Sequence, residues 1–157
     1  MTRHSSQRGF TMVELAVTLV IAAILAAIAF PSMATMMVGN RIRAGGTDLM
    51  SALLLARSEA IKRNAQIAIT PSTAGDWTKG WVVASVATGE QYDRKNAFNN
   101  DVVVNSAPAQ IVYNGSGRLA AAGTTQVEFA DVHGRAEARC LSIDLSGLPH
   151  LSLGACA

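Results

Sequence analysis

From residue 10 to residue 38 the chain is apolar at almost every position, interrupted only by Glu14, a few hydroxyls and Pro31. That run exceeds the roughly 20 residues a helix needs to cross a bilayer. Nine polar and basic residues, MTRHSSQRG, precede it, and the break in character falls between Gly9 and Phe10. A secretory signal has an apolar region of about 7–15 residues that ends in a small-residue cleavage site, so the pattern predicts a membrane helix instead. Arg3 and Arg8 put positive charge on its N-terminal side, which keeps that end in the cytoplasm and sends the remainder outward.

The helical period continues past the membrane. Ile42, Leu49, Leu53, Ala56 and Ala60 share one face, with Ser51, Ser58 and Lys62 roughly opposite, so residues 39–64 read as an amphipathic helix packed on a sheet. Glu59 precedes Arg63 by four residues, the favourable order for an exposed pair. Gly45 and Gly46 each weaken a helix by about 1 kcal/mol relative to alanine, which fits either a local bend or plain tolerance. Pro31 donates no backbone hydrogen bond, so the membrane helix is weaker over residues 27–31.

After Asn64 the pattern changes to short apolar runs separated by turn residues, which predicts strands at 66–70, 80–86, 102–104, 110–113, 127–130, 138–145 and 150–153. Residues 114–117 (Asn-Gly-Ser-Gly) and 146–149 (Ser-Gly-Leu-Pro) are tight-turn signals. Residues 87–101 are polar and irregular and read as a loop that offers a contact surface. Trp77 and Trp81 read as packing around a turn at Gly80. The fold class is therefore α+β: a long membrane-spanning helix, then a small antiparallel β-domain from residue 65 to 157. No internal repeats occur.

Charge changes this picture little. The chain carries 13 basic and 11 acidic residues, and removing Arg3 and Arg8 with a cleaved leader at 1–9 leaves 11 of each. A pI near 8.8 suggests a polyanion partner, but the mature chain has no net field to steer one.

Glu14 is the residue a plain anchor does not explain. A carboxylate in an apolar helix is costly without a partner and reads as functional. Phe10 lies one helical turn before it. A cut after Gly9 would give Phe10 a free α-amine, and staggered subunits in a bundle could then pair amine with acid. The string Arg8-Gly9-Phe10-Thr11-Met12-Val13-Glu14-Leu15 resembles the class III signal of type IV prepilins and type II secretion pseudopilins. That resemblance implies cleavage after Gly9 by a prepilin peptidase, N-methylation of Phe10, and an assembly role for Glu14 at the fifth mature position. Pro31 matches a proline common in these helices, and the resemblance implies that this region loosens on polymerisation. The block 48–64 and the Gly80-Trp81 pair narrow the likeness to the GspH/FimT group, which includes FimU-type minor pilins. The resemblance implies a minor pilin or pseudopilin that primes or caps a filament. Its partners would be other minor subunits, the major subunit and the inner-membrane assembly platform. The chain would cross the inner membrane once, with its C-terminal domain in the periplasm.

In an oxidising periplasm Cys140 and Cys156 are expected to form a disulfide. Closing a loop of about 15 residues contributes roughly 3 kcal/mol in the chain-entropy model. A metal site using His133 and His150 lacks the short paired spacing of zinc modules. No nucleophile signature or phosphate loop accompanies Asp131, Glu137 and Asp144, so neither an enzyme nor a cofactor is expected. DNA binding is the alternative function, because some FimT-type minor pilins bind DNA through a Gly-Arg-x-Arg motif near the C-terminus. The corresponding turn here, Gly147-Leu148-Pro149-His150, has no arginine. Gly134-Arg135-Ala136-Glu137 and Gly117-Arg118-Leu119-Ala120 each lack the second one. Arg118, Arg135 and Arg139 are the candidate contacts, and their convergence in space is left open by the sequence.

Overall fold

The computed structural model describes residues 10–98 and 100–157, apart from the side chain of Pro31. The leader at 1–9, with Gly9, Arg3 and Arg8, lies outside the described residues. The chain divides into one unit ending at Thr35 and a second, Met36–Ala157, and α1 (Met12–Arg63) contributes to both. Both ends of α1 are set by local chemistry. Thr11 precedes the helix and its Oγ1 accepts a hydrogen bond from the Glu14 N–H at 3.2 Å, so Thr11 acts as an N-cap with the acid three residues on. At the other end Asn64 adopts φ 48°. The Asn64 N–H bonds the Ile61 carbonyl and the Ala65 N–H the Ala60 carbonyl, a Schellman stop. Lys62 and Arg63 in the last turn complement the carbonyl end.

The second unit contains two antiparallel four-stranded sheets. The first has the order β3 (Gln91–Lys95), β2 (Asp76–Ser85), β1 (Ile67–Thr73), β5 (Ile111–Tyr113). The second has the order β4 (Val102–Asn105), β6 (Thr125–Asp131), β7 (Arg139–Ile143), β8 (Pro149–Leu153). Ile42, Leu49, Leu53, Ala56 and Ala60 of α1 are fully buried in one core with Ile67, Ile69, Val83, Val127, Phe129, Leu141 and Ile143. The face predicted from the helical period is the face that packs. Ser51, Ser58 and Lys62 are exposed, as their opposite placement requires.

Three expectations change. Residues 87–101 are not all loop, because Gln91–Lys95 pairs with β2 as an edge strand. Its side chains, Gln-Tyr-Asp-Arg-Lys, carry no apolar alternation; backbone hydrogen bonds to β2 hold it there, and its charges guard an open edge. Gly80 marks no turn. It sits inside β2 at φ 86°, where a Cβ would strike the backbone carbonyl of Lys95. Trp77 and Trp81, four residues apart in β2, are both in the core, their ring centroids 6.3 Å apart. Finally, Gly45 and Gly46 are not merely tolerated, because both face close neighbours. A Cβ on Gly46 would lie 2.8 Å from Leu151 Cδ1, and one on Gly45 would lie 3.2 Å from Phe129 and Phe98. They let the second sheet approach the helix backbone.

Candidate assembly site

Among the described residues, nothing packs over the apolar half of α1. Every described residue from Phe10 to Met37 is exposed except Ala26, which is half-buried. An 18-residue window of the helix has a mean hydropathy of 2.6 with none of that window buried. A helix that is apolar all round needs lipid or other protein about it. Glu14 is the one acid in this stretch, and its side chain has no recorded partner among the described residues. The Thr11 cap is a feature the sequence reading missed, although Thr11-Met12-Val13-Glu14 carries the Thr-x-x-Glu pattern. It gives Glu14 a local role at a positive helix end besides any role in assembly. The helix backbone continues through Pro31.

In the second unit, ion pairs fasten the connections to the helix. Arg41 bonds Asp101, Lys95 bonds Asp48, and Arg135 lies 3.8 Å from Asp101. Arg135 also grips the buried Asp131 through Nε and Nη2, both at 2.9 Å. Those bonds hold the Asp131 carboxyl well below the usual range, although burial pushes the other way. Asp144 closes the turn before β8: its Oδ1 accepts from the N–H groups of Ser146 and Leu148 and from the Ser146 hydroxyl, which holds it low as well. The Tyr113 hydroxyl donates to the Gly147 carbonyl at 3.0 Å, and burial pushes its pKa up to about 12.

Of the candidate DNA contacts, Arg118 lies apart from Arg135 and Arg139, which share one end of the β6–β7 ladder. Arg118 bonds the Leu145 carbonyl, beyond the Thr125–Ile143 end of the β6–β7 ladder. Arg135 is held by Asp131, beyond the Phe129–Arg139 end. The ladder between them spans roughly 13–16 Å. The turn at 144–148 carries the Asp144 carboxylate and no arginine. Cys140 and Cys156 are joined by a disulfide, which pins the C-terminal tail. The Cys156 N–H adds a bond to Glu128 Oε2 at 2.8 Å. His133 and His150 are both exposed.

A long, uniformly apolar N-terminal helix that runs into a two-sheet β unit is the architecture of type IV pilins and pseudopilins. The same layout occurs in the minor pilin FimU of Pseudomonas aeruginosa, with a TM-score of 0.60 and 22% identity over 74% of this chain and 90% of that one. It also occurs in the minor pseudopilin EpsH from the type 2 secretion system of Vibrio cholerae, with a TM-score of 0.56 and 12% identity over 72% of this chain and 97% of that one. The prokaryotic N-terminal methylation motif matches residues 4–30. The type II transport protein GspH model matches residues 46–147. The chain belongs to the GspH family and is a minor pilin or pseudopilin. The methylation motif implies processing by a prepilin peptidase.

Proposed function

We propose that this chain primes or caps a type IV pilus or type II secretion pseudopilus and has no catalytic activity of its own. The observation that carries this is the exposed apolar helix from Phe10 to Met37 with a single carboxylate, Glu14, near its start. In this reading, cleavage between Gly9 and Phe10 and methylation of Phe10 release a cationic amine. The amine of one subunit and Glu14 of its neighbour then pair inside the apolar bundle, where low dielectric makes an unpaired charge costly. Pro31 leaves the Ala27 carbonyl without its helical donor and gives the bundle a place to loosen. Before assembly the chain would cross the inner membrane once, with the second unit in the periplasm. Arg3 and Arg8 on the leading side and the Cys140–Cys156 bridge both support that orientation. The partners are other minor subunits, the major subunit and the inner-membrane assembly platform.

Mass spectrometry of the chain from its native membrane should find a mature N-terminus at Phe10 carrying a methyl group. Glu14→Ala should still reach the membrane with its disulfide formed, while filament number or secretion falls. A chain that begins at Met1, or full assembly by the Glu14→Ala protein, would refute the reading.

A further inference from the structure

Two turns, 114–118 and 144–148, meet the last turns of α1 at the end of the helix farthest from the apolar segment. Arg57 Nε donates to the Gly117 carbonyl at 2.9 Å and Arg57 Nη2 to the Ser146 carbonyl at 3.4 Å. Arg118 Nε donates to the Leu145 carbonyl at 3.4 Å. Gly147 packs on the Gly117 carbonyl and Arg118 Cα, and Gly117 packs on Ile61 Cδ1, where a Cβ would come within 2.5 Å. These contacts make one continuous surface from helix and turns. It leaves four large apolar side chains open: Leu54 is 43% exposed, Ile61 52%, Leu145 50% and Leu148 50%. Among the described residues neither Arg57 nor Arg118 has a carboxylate within ion-pair distance, whereas Arg41, Arg63 and Arg135 do. The carboxylate of the turn itself, Asp144, closes the turn through Oδ1, and the two guanidiniums outnumber it.

We propose that this surface docks a neighbouring filament subunit through an apolar side chain flanked by carboxylates. The inference rests on the minor-subunit reading above and names the surface and the chemistry of its partner. Charge complementarity selects the occupant. Two guanidiniums whose only partners are main-chain carbonyls retain donors for a carboxylate, and Arg suits planar carboxylates. Apolar side chains around such a pair exclude water from it, as at the centre of protein interfaces. A nucleic acid would neutralise the arginines and leave all four apolar side chains in water.

The test places a benzophenone amino acid at Leu148 of the full-length chain in cells that make the complete filament machinery. A second strain carries the same group at Ile21 in the apolar helix. Irradiation should join position 148 to a protein whose own N-terminus shows leader processing. Arg118→Glu should cut that adduct about tenfold, the loss of one charge pair at an interface, and Arg118→Lys should largely keep it. Leu145→Asp, which alters a different part of the surface, should give the same loss. Each variant is compared at equal disulfide content. Adducts at position 21 without any at 148 would overturn this surface and leave the minor-subunit reading standing. Filament-subunit adducts at neither position would overturn both. An adduct to nucleic acid, to lipid or to a protein without leader processing would overturn the proposal, as would an adduct indifferent to Arg118→Glu and Leu145→Asp.

Discussion

Removing the Cys140–Cys156 bridge, by reduction or as the Cys140→Ser/Cys156→Ser double variant, should lower the stability of the β unit by an amount its geometry sets. The bridge closes a loop of separation 16 between β7 and the C-terminal tail. In the chain-entropy model that loop corresponds to about 3 kcal/mol at 25 °C. Met36–Ala157 carries the buried core, and unfolding a unit of that size changes entropy by about 0.26 kcal/mol/K. The unfolding midpoint should therefore fall by about 12 °C. The bond from the Cys156 N–H to Glu128 does not replace the bridge, because a tail freed at its sulfur leaves that acceptor to water. The assay is thermal unfolding of the full chain in detergent, followed by near-ultraviolet circular dichroism of the buried Trp77 and Trp81. Reduced protein and double variant should agree with each other. A midpoint that moves by less than about 3 °C in both would refute the reasoning, since the bridge would then constrain nothing the fold does not already hold.

Gly80→Ala should destabilise the same unit by more than the roughly 1–2 kcal/mol that a left-handed conformation costs a residue with a Cβ. The added methyl also meets the Lys95 backbone, so amide exchange should rise in β3; a variant as stable as the parent would contradict the assigned φ. Acid should weaken the β unit. Asp131, Asp144 and Asp76 all have depressed pKa values, so their stabilisation is present above the ordinary carboxylate value near 4 and is lost as pH falls through it towards the folded values. Asp131→Asn should lower the midpoint at pH 7 and narrow its gap to the parent near pH 3; an equal gap at both would show that the Arg135 pairing is not the source.

The sequence alone determined the parts of this protein whose physics is local or one-dimensional. An apolar run of bilayer length, the carboxylate inside it and the junction at Gly9-Phe10 need no fold to be read. The buried helix face was legible from its period, because Ile42, Leu49, Leu53, Ala56 and Ala60 can meet a core in one way only. The turns at 114–117 and 146–149 were legible from glycine, and the cysteine pair from composition and compartment. Tertiary structure decided whatever depends on a neighbour distant in sequence. The strand Gln91–Lys95 exists because β2 presents an open edge, which no property of its polar side chains announces. Gly45 and Gly46 sit close against Phe129 and Leu151, and a glycine's lack of a side chain does not say what fills the space. Arg118 and Arg135 look equivalent as Gly-Arg dipeptides. The register of β6 on β7 puts them at opposite ends of a sheet, one bound to a carboxylate and the other to a carbonyl.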